Sequence, residues 1–129
     1  MARSASPQPT EVELQILRVL WELSSATARQ IHERISADRD TNYSTTVKML
    51  SVMLEKNLIR RDESVRPQVF RAVLTQAKAQ RSMLRDLVQR VYDGSTGSLV
   101  LHALASERAS VEELAQIRKL LDELEEEPT

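Results

Sequence analysis

The chain has 129 residues, enough for one compact domain or for one small domain with an appended element. Apolar residues make up 41% and aromatics only 3%, so a core must be built from Leu, Ile, Val, Met and Ala, a composition that favours helices over sheets. The absence of cysteine excludes disulfides, thiolate metal sites and a cysteine nucleophile and suits a cytoplasmic protein, while a net charge of −1 speaks against a nucleic-acid binder unless the charge is unevenly spread.

The opening MARSASPQPT lacks the apolar stretch of a signal peptide and reads as a short disordered arm over residues 1–9. No apolar run in the chain approaches the roughly 18–20 residues of a membrane span, so no membrane insertion is expected. Thr10 and Glu13 have capping-box spacing. Leu14, Leu17, Leu20 and Trp21, widened by Ile16, Val19 and Leu23, then predict a first helix. SSAT ends it and offers a short extended bridge. Thr27 is the expected cap of a short second helix, ARQIHERISA, whose Ile31 and Ile35 form an i, i+4 pair toward the core. DRDTN is a polar turn.

The third helix is expected from about Ser44 to Lys56. With Leu50 at the centre of its buried face, Tyr43, Thr46, Val47, Met53 and Leu54 fall on that side. Ser44, Thr45, Lys48, Val52 and Glu55 fall on the other. Asn57 is suited to stop the helix in the left-handed conformation. In LIRRDESVRPQVFRAVL the period changes: Leu58-Ile59 and residues 69–73 read as two strands joined by a polar turn, with Pro67 at the entry to the second. From Thr75 the pattern is helical again. A long fourth helix carries Leu84, Leu87, Val88 and Val91 and ends near YDGS. GSLVLHALASE is a short apolar fifth helix. A sixth opens on a second capping box, Ser110 with Glu113, and carries Leu114, Ile117, Leu121 and Leu124. EEEPT reads as a frayed acidic tail.

The charge is segregated along this order. From Thr41 to Leu74 six basic residues face three acidic ones, whereas from Thr75 to Thr129 seven basic residues face ten acidic ones. Helix, helix, turn, helix and basic hairpin is the order of a winged helix-turn-helix, which makes the fold class mainly α with a small β-hairpin wing over residues 10–74 and helices over 75–129. In that arrangement the third helix enters the major groove. Ser44 and Thr45 are short hydrogen-bonding groups at its N-terminus, where backbone N–H groups favour phosphate, and Lys48 lies one turn further on the same face. Val52 is placed to touch a thymine methyl. Arg60, Arg61, Arg66 and Arg71 line the wing with charge suited to the DNA backbone.

Each of these residues also has a plainer explanation. Ser44 alone is most simply a helix cap, and exposed Lys and Arg are usually solvated surface. The joint pattern favours double-stranded DNA as partner. A winged helix whose third helix docks a partner protein stays open, supported by the near-neutral net charge. Catalysis has almost no support: His32 and His102 lie about 70 positions apart, neither sits in a metal-ligand spacing, and no cofactor or metal is expected. His32 reads as a helix-surface or partly buried residue and His102 as a packed or interface residue.

The sequence resembles the BlaI/MecI penicillinase-repressor family, within the wider group that includes the CopY copper repressors. The resemblance spans about Thr10 to Leu124 and is carried by ELQILRVLWEL, by YSTTVKMLSVMLEKNLIRRDE with the following VFRAV, and by VYDGSTGSLVLHALASE, the most specific of the three. It implies a homodimeric transcriptional repressor, with a winged helix followed by a helical dimerisation region, bound to a roughly palindromic operator. It places recognition-helix contacts on Ser44, Thr45 and Lys48 and wing contacts on the arginines of RRDESVR. Dimerisation falls on the stripes of the last three helices: Leu84, Leu87, Val91, Leu99, Leu101, Leu104, Ile117, Leu121 and Leu124. These helices carry more apolar surface than so small a domain hides alone.

The chain departs from the family pattern in three places. In β-lactam-responsive members a sensor-triggered protease cuts an Asn-Phe bond in the fifth helix. The corresponding bond here is His102-Ala103, and neither residue matches. Induction by that route would require a membrane sensor protease encoded nearby. CopY-type members bind metal through a cysteine-rich tail, and this chain has no cysteine. Asn57 stands where the family usually has Gly.

Overall fold

The computed structural model describes residues 8–127. Residues 1–7 of the expected arm and the last two of the acidic tail lie outside them. Gln8 and Pro9, also assigned to the arm, are half-buried, and Gln8 Nε2 donates to Ser82 Oγ at 3.3 Å. Among the described residues there are six helices and two strands: α1 (Glu11–Leu23), α2 (Ala28–Ile35), α3 (Tyr43–Glu55), β1 (Ile59–Asp62), β2 (Val69–Ala72), α4 (Gln76–Val91), α5 (Thr96–Ser106) and α6 (Val111–Glu126). The molecule is therefore a winged helix followed by further helices. It divides into two compact units, the first ending at Leu84 and the second starting at Arg85.

The first unit is built around Ile16, Leu17, Val19 and Leu20 of α1, Ile31 and Ile35 of α2, Leu50 and Met53 of α3, and Ile59 and Phe70 of the hairpin. Helix α1 starts as its sequence dictates. Thr10 Oγ1 accepts from Glu13 N–H, and Glu13 returns a carboxylate oxygen to Thr10 N–H at 2.9 Å. Leu23, expected on the apolar stripe, is exposed at the last turn, while Glu13 is buried. Helix α2 opens at the expected cap, Thr27, which forms a full capping box with Gln30, a Thr-x-x-Gln spacing present in the sequence. The expected extended bridge before it forms at one residue: Ala26 exchanges both backbone hydrogen bonds with Phe70, at 3.2 and 2.8 Å, an isolated bridge against the hairpin. Trp21 Nε1 donates to the Leu74 carbonyl at 2.9 Å, tying the end of α1 to the chain leaving β2.

Helix α3 ends in a full C-terminal motif. Lys56 caps it, and Asn57 takes φ 64°. Asn57 N–H reaches Leu54 O at 3.1 Å and Leu58 N–H reaches Met53 O at 2.9 Å, so two carbonyls that the helix leaves open are satisfied. Asn tolerates the left-handed region, as its position requires. This turn sends the chain into β1 at Ile59 rather than at Leu58, and β1 continues through the paired arginines to Asp62.

In the second unit, Ser95 caps α5 by accepting from Ser98 N–H at 3.0 Å, and Ser110 and Glu113 cap α6 as expected. Glu125 and Glu126, assigned to a frayed tail, still belong to α6. Among the described residues from Arg85 onward, Val88 alone is buried.

Candidate nucleic-acid interface

Helix α3 is capped by Asn42, not by Ser44. The Asn42 Oδ1 atom accepts from Thr45 N–H at 2.9 Å, which fixes the amide's orientation, and also from Ser44 Oγ at 2.8 Å and Thr45 Oγ1 at 2.9 Å. Both hydroxyls thus spend their protons on Asn42 and turn lone pairs outward. Ser44, Thr45 and Lys48 are all exposed, so the outward set expected from the sequence shares one face. Of the two adjacent threonines, Thr45 faces solvent and Thr46 is fully buried, its Oγ1 2.9 Å from His32 Nδ1 on α2.

One residue of α3 lies on the other side from the expected one. Val47, placed in the core by helical projection about Leu50, is 39% exposed. Met49 instead packs against the core as a half-buried residue. Thr46, hydrogen-bonded to His32, and Met49 mark the flank on which α3 meets the core, and Val47 falls outside it.

Sequence reasoning also missed Arg29. Its guanidinium carbon sits 4.1 Å from the centroid of the Tyr43 ring, and His32 meets the same ring edge-on at 5.6 Å. Arg29 is exposed in the first turn of α2 and stands at the entrance to α3. The Thr27 cap two residues earlier was the available signal.

The wing separates the arginines that adjoin in the sequence. Strands β1 and β2 pair antiparallel with Ile59 opposite Ala72, Arg60 opposite Arg71, Arg61 opposite Phe70 and Asp62 opposite Val69. Side chains alternate between faces, so Arg61 shares the face of buried Ile59 and Phe70, while Arg60, Arg71 and Asp62 share the other. Arg61 Nε lies 3.2 Å from Glu63 Oε2, and Arg71 Nη2 lies 4.0 Å from Asp62 Oδ2. Arg66 is exposed in the connecting loop. Ser64 hydroxyl and backbone both donate to Asp62 Oδ1, shaping the turn. Those bonds, aided by the Arg71 charge, hold the Asp62 carboxyl below its ordinary value.

Lys56 is not part of the outward charge. Its Nζ donates to both carboxylate oxygens of Glu13, at 2.8 and 3.0 Å. Burial alone would raise the Glu13 carboxyl, but the hydrogen bonds from Lys56 and Thr10 and the Lys56 charge outweigh it and hold the group below its ordinary value.

In the second unit the residues of the expected apolar stripe are mostly bare. Leu87, Val91, Leu101, Leu104, Leu121 and Leu124 are exposed, Leu101 to 73%, as is Leu84 at the end of the first unit. Leu99 and Ile117 are half-covered. His102 is exposed and its Nδ1 lies 2.9 Å from the Tyr92 hydroxyl; Ala103, also exposed, follows it in regular helix. Among the described residues no three His, Cys, Asp or Glu side chains cluster as metal ligands, and no helix is long and apolar enough to cross a membrane.

The profile of the penicillinase repressor family matches residues 9–123. The chain belongs to the penicillinase repressor family. Among relatives in that family, a penicillinase repressor of Bacillus licheniformis is 23% identical over 117 residues, covering 91% of each chain. The transcriptional regulator BlaI of Mycobacterium tuberculosis is 28% identical over 117 residues, covering 89% of this chain and 83% of its own. The methicillin resistance regulatory protein MecI of Mammaliicoccus sciuri is 22% identical over 113 residues, covering 88% and 92%.

Proposed function

We propose that the protein is a DNA-binding transcriptional repressor, not an enzyme, that holds a palindromic operator as a homodimer in the cytoplasm. Residues 10–74 form the DNA-binding domain and residues 75–129 the dimerisation region. Ser44, Thr45 and Lys48 meet the major groove. Arg60, Arg66 and Arg71, with Arg29 beside the entrance to α3 and Arg61 at the wing's inner edge, meet phosphates.

The observation that carries this reading is the facing pair Arg60 and Arg71. Like charges directly opposite on neighbouring strands destabilise a hairpin, and Asp62, whose Oδ1 is held by Ser64, offsets the pair only through a long contact of its Oδ2 with Arg71, at 4.0 Å. A polyanion laid across that face turns the penalty into attraction. The family relatives named as repressors and regulators support the same reading. The exposed leucines and valines of α4, α5 and α6 support a second copy as the cover for that surface. If release from the operator runs through cutting of His102-Ala103 by a sensor protease, α5 must first unwind locally, since both residues lie in regular helix.

A fluorescence-anisotropy titration tests the reading, using a duplex motif enriched by the protein from random oligonucleotides. Replacing Thr45 and Lys48 together with Ala removes specific binding and leaves the dimer mass unchanged in sedimentation. Unaltered affinity overturns the assignment. Failure to enrich any motif favours instead a winged helix that docks a partner protein, which the near-neutral net charge also accommodates.

A further inference from the structure

We infer that Val47 is a specificity-determining residue whose side chain reads the C5-methyl group of a thymine in the major groove; the inference rests on the DNA-binding reading above. Val47 is exposed on α3 next to Lys48 and one turn from Ser44 and Ser51, all exposed. The fold gains little from it there. Thr46, Leu50 and Met53 fill the core side, and Met49 packs against the core beside them. An exposed β-branched residue is also a poorer helix former than Ala or Lys.

Its chemistry narrows what it can recognise. An isopropyl group neither donates nor accepts a hydrogen bond. Along the major-groove edges of the four base pairs the distinctive apolar feature is the thymine methyl. Valine holds one strongly preferred rotamer on a helix, so its methyl groups are fixed before DNA arrives, unlike the long side chain of Lys48. Its place along α3 matters too. The N-terminal part of a recognition helix is what reaches base edges, and Val47 stands in the second turn. Val52, which the sequence also offers for a thymine methyl, is about equally exposed, at 41%, but lies in the C-terminal half of α3 rather than in the N-terminal part that reaches base edges in helix-turn-helix proteins.

The test uses the full chain and a duplex enriched by it from a random library. Each thymine of the motif is replaced in turn by deoxyuridine, which removes only the methyl group, and affinity is read by anisotropy for wild type, Val47→Ala, Val47→Thr and Val52→Ala. At one thymine per half-site the wild type loses about fourfold, the fold-change that burying one methyl group corresponds to. Val47→Ala is indifferent to that methyl, and Val52→Ala remains as sensitive as wild type. Val47→Thr, of nearly the same shape, keeps the fold and provides the control should the Ala variant be poorly behaved. Two results overturn this inference alone: a motif that is bound but has no methyl-sensitive thymine, and a Val47→Ala protein that keeps the full sensitivity. Absence of any enriched motif overturns the DNA-binding reading and this inference with it.

Discussion

Lys56, the C-cap of α3, places its Nζ 2.8 Å from Glu13 Oε1 in the first turn of α1. The pair is mostly shielded from water and joins the end of α3 to the start of the chain's first helix. Replacing Glu13 with Gln keeps a side chain able to complete the capping box but removes the charge. Urea unfolding near neutral pH should show a loss of about 1–2 kcal/mol, less than for a fully buried pair because Lys56 keeps some solvent contact. The folded carboxyl titrates below its ordinary 4.5. Its contribution is therefore complete above that value and is lost as the pH falls through the lower folded value. Wild type and variant should converge in stability in acid, and a gap that persists there would refute the ion pair as its source.

Asn42 serves α3 twice, as the acceptor for Thr45 N–H and as the anchor for two hydroxyls. Asn42→Ala should cost about 1 kcal/mol and speed amide exchange in the first turn of α3. Asn42→Asp should keep the cap and the stability, yet weaken DNA binding by bringing a negative charge toward the phosphates. Equal DNA affinity for the Asp variant and wild type would place the start of α3 away from the nucleic acid.

The opposed arginines on the wing make a prediction with opposite signs. Arg71→Ala relieves a like-charge pair and loses only a long, exposed contact with Asp62, so the free protein should keep its stability within about 0.5 kcal/mol. Affinity for every duplex should fall, and the slope of log affinity against log salt should flatten by about 0.9 for each phosphate no longer neutralised. Arg61, on the face of Ile59 and Phe70 and beside Glu63, should change that slope less. A larger effect from Arg61 than from Arg71 would reverse the assignment of faces.

Leu101 and Leu121 test the assembly. Changing both to Lys should leave the helical circular dichroism intact, since neither is buried in the chain, and should halve the mass seen by sedimentation. An unchanged mass would remove the apolar faces of α5 and α6 from the dimer.

Local chemistry is readable in this sequence and long-range chemistry is not. The caps at Thr10 and Ser110 and the left-handed stop at Asn57 each involve residues within a few positions of one another, and the structure contains all three. The Glu13–Lys56 pair joins residues 43 positions apart, so no window along the chain contains it. Helical periodicity misplaces Val47 because it gives the width of a buried stripe but not its rotation, which here depends on His32 from another helix. The arginines of the wing look alike in sequence because the first strand is expected at Leu58-Ile59 alone, whereas it runs from Ile59 to Asp62 and takes both arginines into the ladder. A strand has period two, so register decides which arginine faces which way.

The hydroxyl of Thr46 has no route to the nucleic acid, yet it governs what the surface displays. Held against His32 with no exposure to solvent, it acts as a keyway that sets the angle of α3 about its own axis. Sequence preference in such a helix depends on the outward residues and equally on the clocking that presents them. On the proposed DNA-binding reading, a substitution at Thr46 or His32 would therefore change which bases are read without altering any side chain that could touch them.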